Sequence, residues 1–149
     1  MTISNKVASF NPADVDVIIA GNTITGYADG SYVDIERDNE SFTKVTGANG
    51  EVTRVQTNDK GGKCTMTLLQ SSESNLILSN LLNIDEATGA GTFPLMIKDN
   101  SGGTIMAGAV CWINKPAKVT YSKSIENREW VIDIAHLVTH IAGNPDVSE

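Results

Sequence analysis

A chain of 149 residues is the size of one domain, long enough for folding to bury roughly 70% of the surface the unfolded chain would expose. Its formal net charge of -7 argues against a sequence-independent nucleic-acid binder, because such binding runs on Lys and Arg displacing counterions from phosphate. Hydrophobic residues make up 40% and aromatics 5%, while 13 glycines and frequent Thr, Ser, Asn and Asp point to short strands joined by turns, so the expected class is all-β or α+β.

Residues 1–13 read as an N-terminal arm. DVDVII then alternates Val15, Val17 and Ile19 on one face, and Gly21-Asn22 offers a tight turn into TITGYA, so a hairpin is expected. Asp29-Gly30 is a second turn signal and leads into SYVDIERD. Along that strand Tyr32, Asp34, Glu36 and Asp38 share one side, and Val33, Ile35 and Arg37 share the other. FTKVT and EVTRVQT flank the turn Gly47-Ala48-Asn49-Gly50 and make a polar hairpin within residues 40–60, with Val45, Val52 and Val55 as its few apolar anchors. GGKCTMTLLQ sets Cys64, Met66 and Leu68 against Lys63, Thr65 and Thr67, the pattern of a strand with one wet face.

One segment has helical spacing. Ser71-Ser72 supplies a cap before Glu73, and Leu76, Ile77, Leu81, Leu82 and Ile84 recur to about residue 85, with Asn75, Ser79, Asn80 and Asn83 as polar companions. PLMIKD and TIMAGAVCWINKPA are two strands joined by a turn at Asn100-Ser101-Gly102-Gly103, with Pro116 marking an end or an edge. AKVTYSK and REWVIDIAHLV close the sheet. No repeat and no proline-rich or low-complexity linker divides the chain, so residues 1–149 read as a single domain. It is mainly β (α+β), a β-sandwich or barrel with one flanking α-helix, and pairing its strand edges is its main structural problem. MTISNKVASF has no basic start followed by an apolar run, and no segment nears 18 apolar residues, so the expectation is a soluble chain made in a cytoplasm.

Residue types that carry chemistry occur without the partners they need. His136 and His140 are four apart, a metal-binding spacing on a helix, but the intervening LVT brings no glutamate and no third ligand is evident. Asp34, Glu36 and Asp38 invite comparison with glycosidase carboxylates, yet acids two apart on an exposed strand lack the apolar pocket that would split their pKa values, and a solvated acidic face is the simpler reading. Asp59-Lys60-Gly61-Gly62-Lys63-Cys64-Thr65 is only superficially like a phosphate loop: the spacing is wrong, and a strand rather than a helix follows. Cys64 and Cys111 stand far apart with no CxxC partner and read as free, buried, strand-borne thiols. No nucleophile-elbow pattern surrounds any serine, and the sequon Asn39-Glu40-Ser41 carries no weight without a signal peptide. No enzyme activity and no catalytic, cofactor or metal site is expected.

Three segments together are specific: FNPADVDVIIAG near the start, SYVDIERDNESFTKVTGANGEVTRVQTNDKGGKCTMTLLQSSESNLILSNL in the middle, and NREWVIDI near the end. The chain resembles, over nearly its full length, the small tail tube proteins of contractile-tailed bacteriophages. That resemblance implies a tail-tube-like β-sandwich or barrel whose copies close into hexameric rings. The rings would stack into the inner conduit for DNA delivery inside a contractile sheath, with strands of adjacent subunits joining around the lumen. It implies as partners the chain itself, a tail sheath protein, a baseplate initiator and a tail terminator, with DNA as transient cargo and no membrane binding. Secretion-system tubes that carry effectors share the architecture and are the alternative, and a small monomeric carbohydrate-binding or hydrolytic β-domain is a third.

Within that frame Asp34, Glu36, Asp38 and Glu40, with Lys63 beside them, are the expected lumen-facing residues. Their charge would keep a passing duplex from adhering: a like-charge pair about 10 Å apart is worth about 0.4 kcal/mol in water, small singly but repeated around every ring. Arg37, Lys44, Arg54 and Arg128 are the candidate inter-subunit contacts. The hairpin at 40–60, short of apolar anchors, is expected to order against an adjacent copy.

Overall fold

The structure, a computed structural model, describes residues 7–30 and 32–143. Residues 1–6 of the predicted arm and Ser31 of the predicted acidic strand lie outside the described residues. After the exposed stretch Val7–Asn11, a single 3-10 turn at Pro12–Asp14 is capped by the Asn11 side chain, which accepts from the Ala13 amide at 3.0 Å. β1 (Val15–Ile19) and β2 (Asn22–Thr23) then form the expected hairpin. Its two loop residues are Ala20 (φ 52) and Gly21 (φ 82), one position earlier than the Gly21-Asn22 signal implied. Only Ile18 and Ile19 pair with β2, because Ile24 turns inward to the core and the chain leaves the sheet.

That departure closes the molecule. The sheet order is β2-β1-β7-β8-β9-β6-β3, with β3 at Val33–Arg37, β6 at Gly62–Leu69, β7 at Phe93–Asp99, β8 at Ile105–Ile113 and β9 at Asn127–Ile134. Residues 24–28 cross from the β2 end to the β3 end, where the Gly26 carbonyl accepts from Leu69 N at 2.8 Å and Ala28 N donates to Thr67 O at 3.0 Å. Gly26 (φ 76) has no room for a side chain there, since a Cβ would lie 2.5 Å from Ser72 Oγ. The antiparallel strands therefore curl around one core, to which alternate residues of β1, β6, β7 and β9 contribute Val17, Met66, Leu95 and Ile132. The curl tightens at Gly108, where the β7–β8 register shifts by one residue and β8 changes partner from β9 to β10 (Val138–His140). REWVIDIAHLV is thus two strands with a corner at Ala135–Leu137, and Leu137 is fully buried in that corner.

The one α-helix among the described residues, α1 (Ser74–Thr88), runs three residues further than expected and stops at Gly89 (φ 67), whose amide bonds Asp85 O at 2.7 Å. Its buried seam is Ser74, Leu78 and Leu82, whereas Leu76 and Ile84, expected inside, are 66% and 54% exposed. No serine caps it in the usual way. Ser72 Oγ donates to Thr25 O at 2.6 Å and accepts from Ser74 N at 3.2 Å, Ser74 Oγ accepts from Thr25 N at 2.9 Å, and Asn75 Oδ1 accepts from Trp130 Nε1 at 2.9 Å. The polar residues of the first turn bolt helix to sheet. AKVTYSK, expected as a strand, belongs to no ladder: residues 114–126 form an irregular strap from β8 to β9.

Candidate assembly surfaces

Alternation along β3 places its acids as expected, with Asp34 and Glu36 exposed and Val33, Ile35 and Arg37 half-buried. The neighbouring strands extend this face. Register sets Glu36 opposite Lys63, Lys63 opposite Asp133, and Asp133 opposite Trp112, so one row of side chains crosses four strands on the outer side of the sheet. One step on, Asp34, Thr65 and Val131 form the next row, followed by Thr67 with Glu129. The face therefore holds Asp34, Glu36, Glu129 and Asp133 around Lys63, and Asp133 Oδ2 is fixed by Asn114 Nδ2 at 2.7 Å. Asp38 continues it past the strand end, its amide bonded to Gly61 O at 3.0 Å. Glu40 does not share the strand: it lines a cavity of about 240 Å³ at the hairpin base, with Arg37, Phe42 and Lys60. Glu129 and Asp133 were readable in NREWVIDI as the polar half of an alternating strand, but joining them to Asp34 and Glu36 needs the pairing of β9 with β6 and of β6 with β3.

The four candidate cations fall in different settings. Arg37 is turned inward, with Nε and Nη2 donating to the Leu137 carbonyl at 3.0 and 2.8 Å, so it braces the end of β3 against the β9–β10 corner. Arg128 is 6% exposed, bonds Thr120 O at 3.4 Å, and lies 5.4 Å from the centre of the Tyr121 ring. Lys44 and Arg54 stand opposite one another on the hairpin of β4 (Phe42–Thr46) and β5 (Val52–Gln56), with Arg54 Cζ 4.1 Å from the centre of the Phe42 ring.

That hairpin pairs only with itself, as a separate two-stranded sheet, and all ten of its strand residues are exposed. Val45, Val52 and Val55 do not anchor it to the subunit: they are 56%, 62% and 48% exposed. A two-stranded ribbon lacks a hydrophobic floor of its own, and this one presents its apolar residues outward.

The side chains with chemical potential are not assembled into a site. His136 and His140 are both exposed, and among the described residues no three His, Cys, Asp or Glu side chains gather where a metal ion would fit. Cys64 and Cys111 are free, fully buried thiols. Burial first, then the nearby Cys111 and Asp34, pushes Cys64 up to about 12, and burial pushes Cys111 up to about 11. Both stay protonated and unreactive while the fold is intact. No helix among the described residues is long and apolar enough to cross a membrane.

The curled sheet with its one helix is a fold shared with components of contractile injection systems. It matches a chain of the sheath-tube complex of an extracellular contractile injection system, PVC, in its extended state, at a TM-score of 0.58 and 11% identity over 89% of this chain and 91% of that one. It also matches the tube-terminating cap of the anti-feeding prophage, at a TM-score of 0.56 and 9% identity over 94% of each chain. In sequence, structural protein ORF10 of Pseudomonas phage KPP10 is 32% identical over 154 residues, covering 98% of this chain and 89% of its own length. Residues 14–142 match the family of the bacteriophage PhiTE tail tube protein. The chain belongs to that family and is a structural subunit of a phage tail tube.

Proposed function

We propose that copies of this chain close into hexameric rings and stack into the inner conduit through which DNA leaves the particle, with the acidic sheet face lining the bore. The observation that carries this reading is the continuous outer face of β3, β6, β9 and β8, where Asp34, Glu36, Glu129 and Asp133 surround one Lys63 and no cationic cluster offers phosphate a hold. Bound DNA would need cations to replace its counterions, so a duplex beside this face slides. The hairpin at 40–60, complete in its own ladder yet apolar on its surface, docks on an adjacent copy, which fixes its position; Lys44 and Arg54 are the contacts it brings.

The sheath-tube complex and terminating cap among the structural neighbours support a contractile sheath and a tail terminator as further partners; a baseplate initiator that starts the tube, and synthesis in the host cytoplasm before a place in the virion tail, complete the proposal. Electron microscopy of the native particle and of concentrated protein tests the proposal. Six-fold rings or tubes with the β3 face inward are expected. A solitary globule, or a bore lined by basic side chains, would refute it.

A further inference from the structure

We propose that Ala117–Lys123, the stretch of the strap that lies outside every ladder, is an intermolecular β-strand that pairs with the open edge of β3 in a neighbouring copy. This rests on the tube reading and goes beyond it, because the strap is not an edge of the subunit's own sheet. Its sequence is that of a strand: Ala117, Val119 and Tyr121 alternate with Lys118, Thr120 and Ser122, and Val119-Thr120-Tyr121 are three strong strand formers in succession. Yet from Pro116 to Ser122, among the described residues, the one backbone group bonded within the subunit is Thr120 O, held by Arg128. The remaining amides and carbonyls make no hydrogen bond within the described subunit and stay available for a ladder.

The segment is placed rather than loose. Ala117 packs against the core, Arg128 grips Thr120 and Tyr121 from below, and Val119 and Tyr121 form one wall of a groove beside α1 that Ser79 and Trp130 also line. Held so, it spends little of its binding energy on ordering. Its outward chemistry is unlike the rest of the molecule: Val119, Tyr121 and Ile125 are 57%, 77% and 62% exposed, and Lys115, Lys118 and Lys123 lie in a stretch free of acids until Glu126.

β3 is the complement. Among the described residues it is the last strand of the sheet, and beyond its outer side a groove of about 330 Å³, floored by Val33, Ile35, Ile97 and Met106, separates it from β1 and β8. Paired there, the strap sets Lys118, Thr120 and Ser122 on the side of Asp34, Glu36 and Asp38, and sets Val119 and Tyr121 over the apolar floor. Both alternations match. The free edges of β4 and β5 carry Lys44 and Arg54 and would repel Lys118, while β2 and β10 are only two and three residues long. Within one subunit β9 and β6 stand between the strap and β3, so the pair forms only between copies, head to tail.

Disulfide trapping in assembled tubes tests this. Thr120→Cys is combined in turn with Asp34→Cys, Glu36→Cys and Asp38→Cys; one combination is expected to give a ladder of linked subunits on a non-reducing gel, while Thr120→Cys alone gives none. Val119→Pro, which removes a strand amide where the subunit has no ladder, should leave the subunit's melting temperature unchanged and abolish tube formation. Lys118→Glu should weaken assembly, and adding Glu36→Lys should restore it. Tubes that form normally from Val119→Pro, or wild-type-like tubes in which no combination links, would overturn the strap pairing and leave the tube reading standing. A wild-type chain that forms no tube at all would remove both.

Discussion

Replacing Arg37 separates two roles for one residue. By sequence it is a candidate contact between subunits, but its guanidinium makes two bonds, at 3.0 and 2.8 Å, to the carbonyl of fully buried Leu137 in the same chain. A hydrogen bond from a charged donor is worth about 1.5–3 kcal/mol, and two that share one acceptor together supply about 2–3 kcal/mol, including the penalty of leaving that carbonyl unpaired. For a chain of this size each kcal/mol moves the melting temperature by about 2–4 °C, so Arg37→Ala should lower it by about 5–10 °C in calorimetry on subunits kept unassembled. Arg37→Lys, which offers a point charge in place of a fork, should fall between the two. A subunit that melts within about 1 °C of the wild type while failing to assemble would show that Arg37 acts between copies, and the reasoning would be wrong.

Three further outcomes follow from the packing and the charges. Gly62→Ala puts a Cβ 2.5 Å from the Glu36 carbonyl and should destabilise the fold by about 1–3 kcal/mol, read by urea unfolding; a neutral result would mean β3 is not held against β6 as described. Converting Glu129 and Asp133 together to Lys, on the same face but away from the edge of β3, should leave tails visible by microscopy yet impair DNA ejection; normal infectivity would count against the inward acidic face. Cys64 and Cys111 are raised in the fold from their ordinary 9.0 to about 12 and about 11, so the folded state holds their protons longer than the unfolded chain does. Stability is then full below about pH 9 and falls above it, by about 1.4 kcal/mol per pH unit for each thiol until its folded value is passed. Denaturant melts at pH 8 and pH 10.5 check the sign, and Cys64→Ala should flatten the decline.

Local pattern carried much of this fold. Strand alternation in β3 and β6 and the Gly47–Gly50 turn depend on neighbours a few residues away, and such features are legible in a single chain. The misplacements arise where distant segments decide. Leu76 and Ile84 satisfy helical spacing but face out, because Ser74 and Asn75 are claimed by Thr25 and Trp130 and set the rotation of the helix. Arg37 shares the side of Val33 and Ile35 and suggests a contact between subunits, because nothing near it in sequence reveals that Leu137 O, one hundred residues ahead, takes its guanidinium. The acidic face was seen only at its β3 end for the same reason: Glu129 and Asp133 reach it through two register relations that chain order does not display.

The bolted first turn of α1 bears on whatever covers the helix. Directional bonds from Ser72, Ser74 and Asn75 set the bearing of the helix before any other molecule arrives, and Gly26, pressed against Ser72, leaves no slack for the joint to rock. A mate that settles over Leu76 and Ile84 meets a surface already aimed, and loses less freedom on contact than it would in steering a pivoting rod.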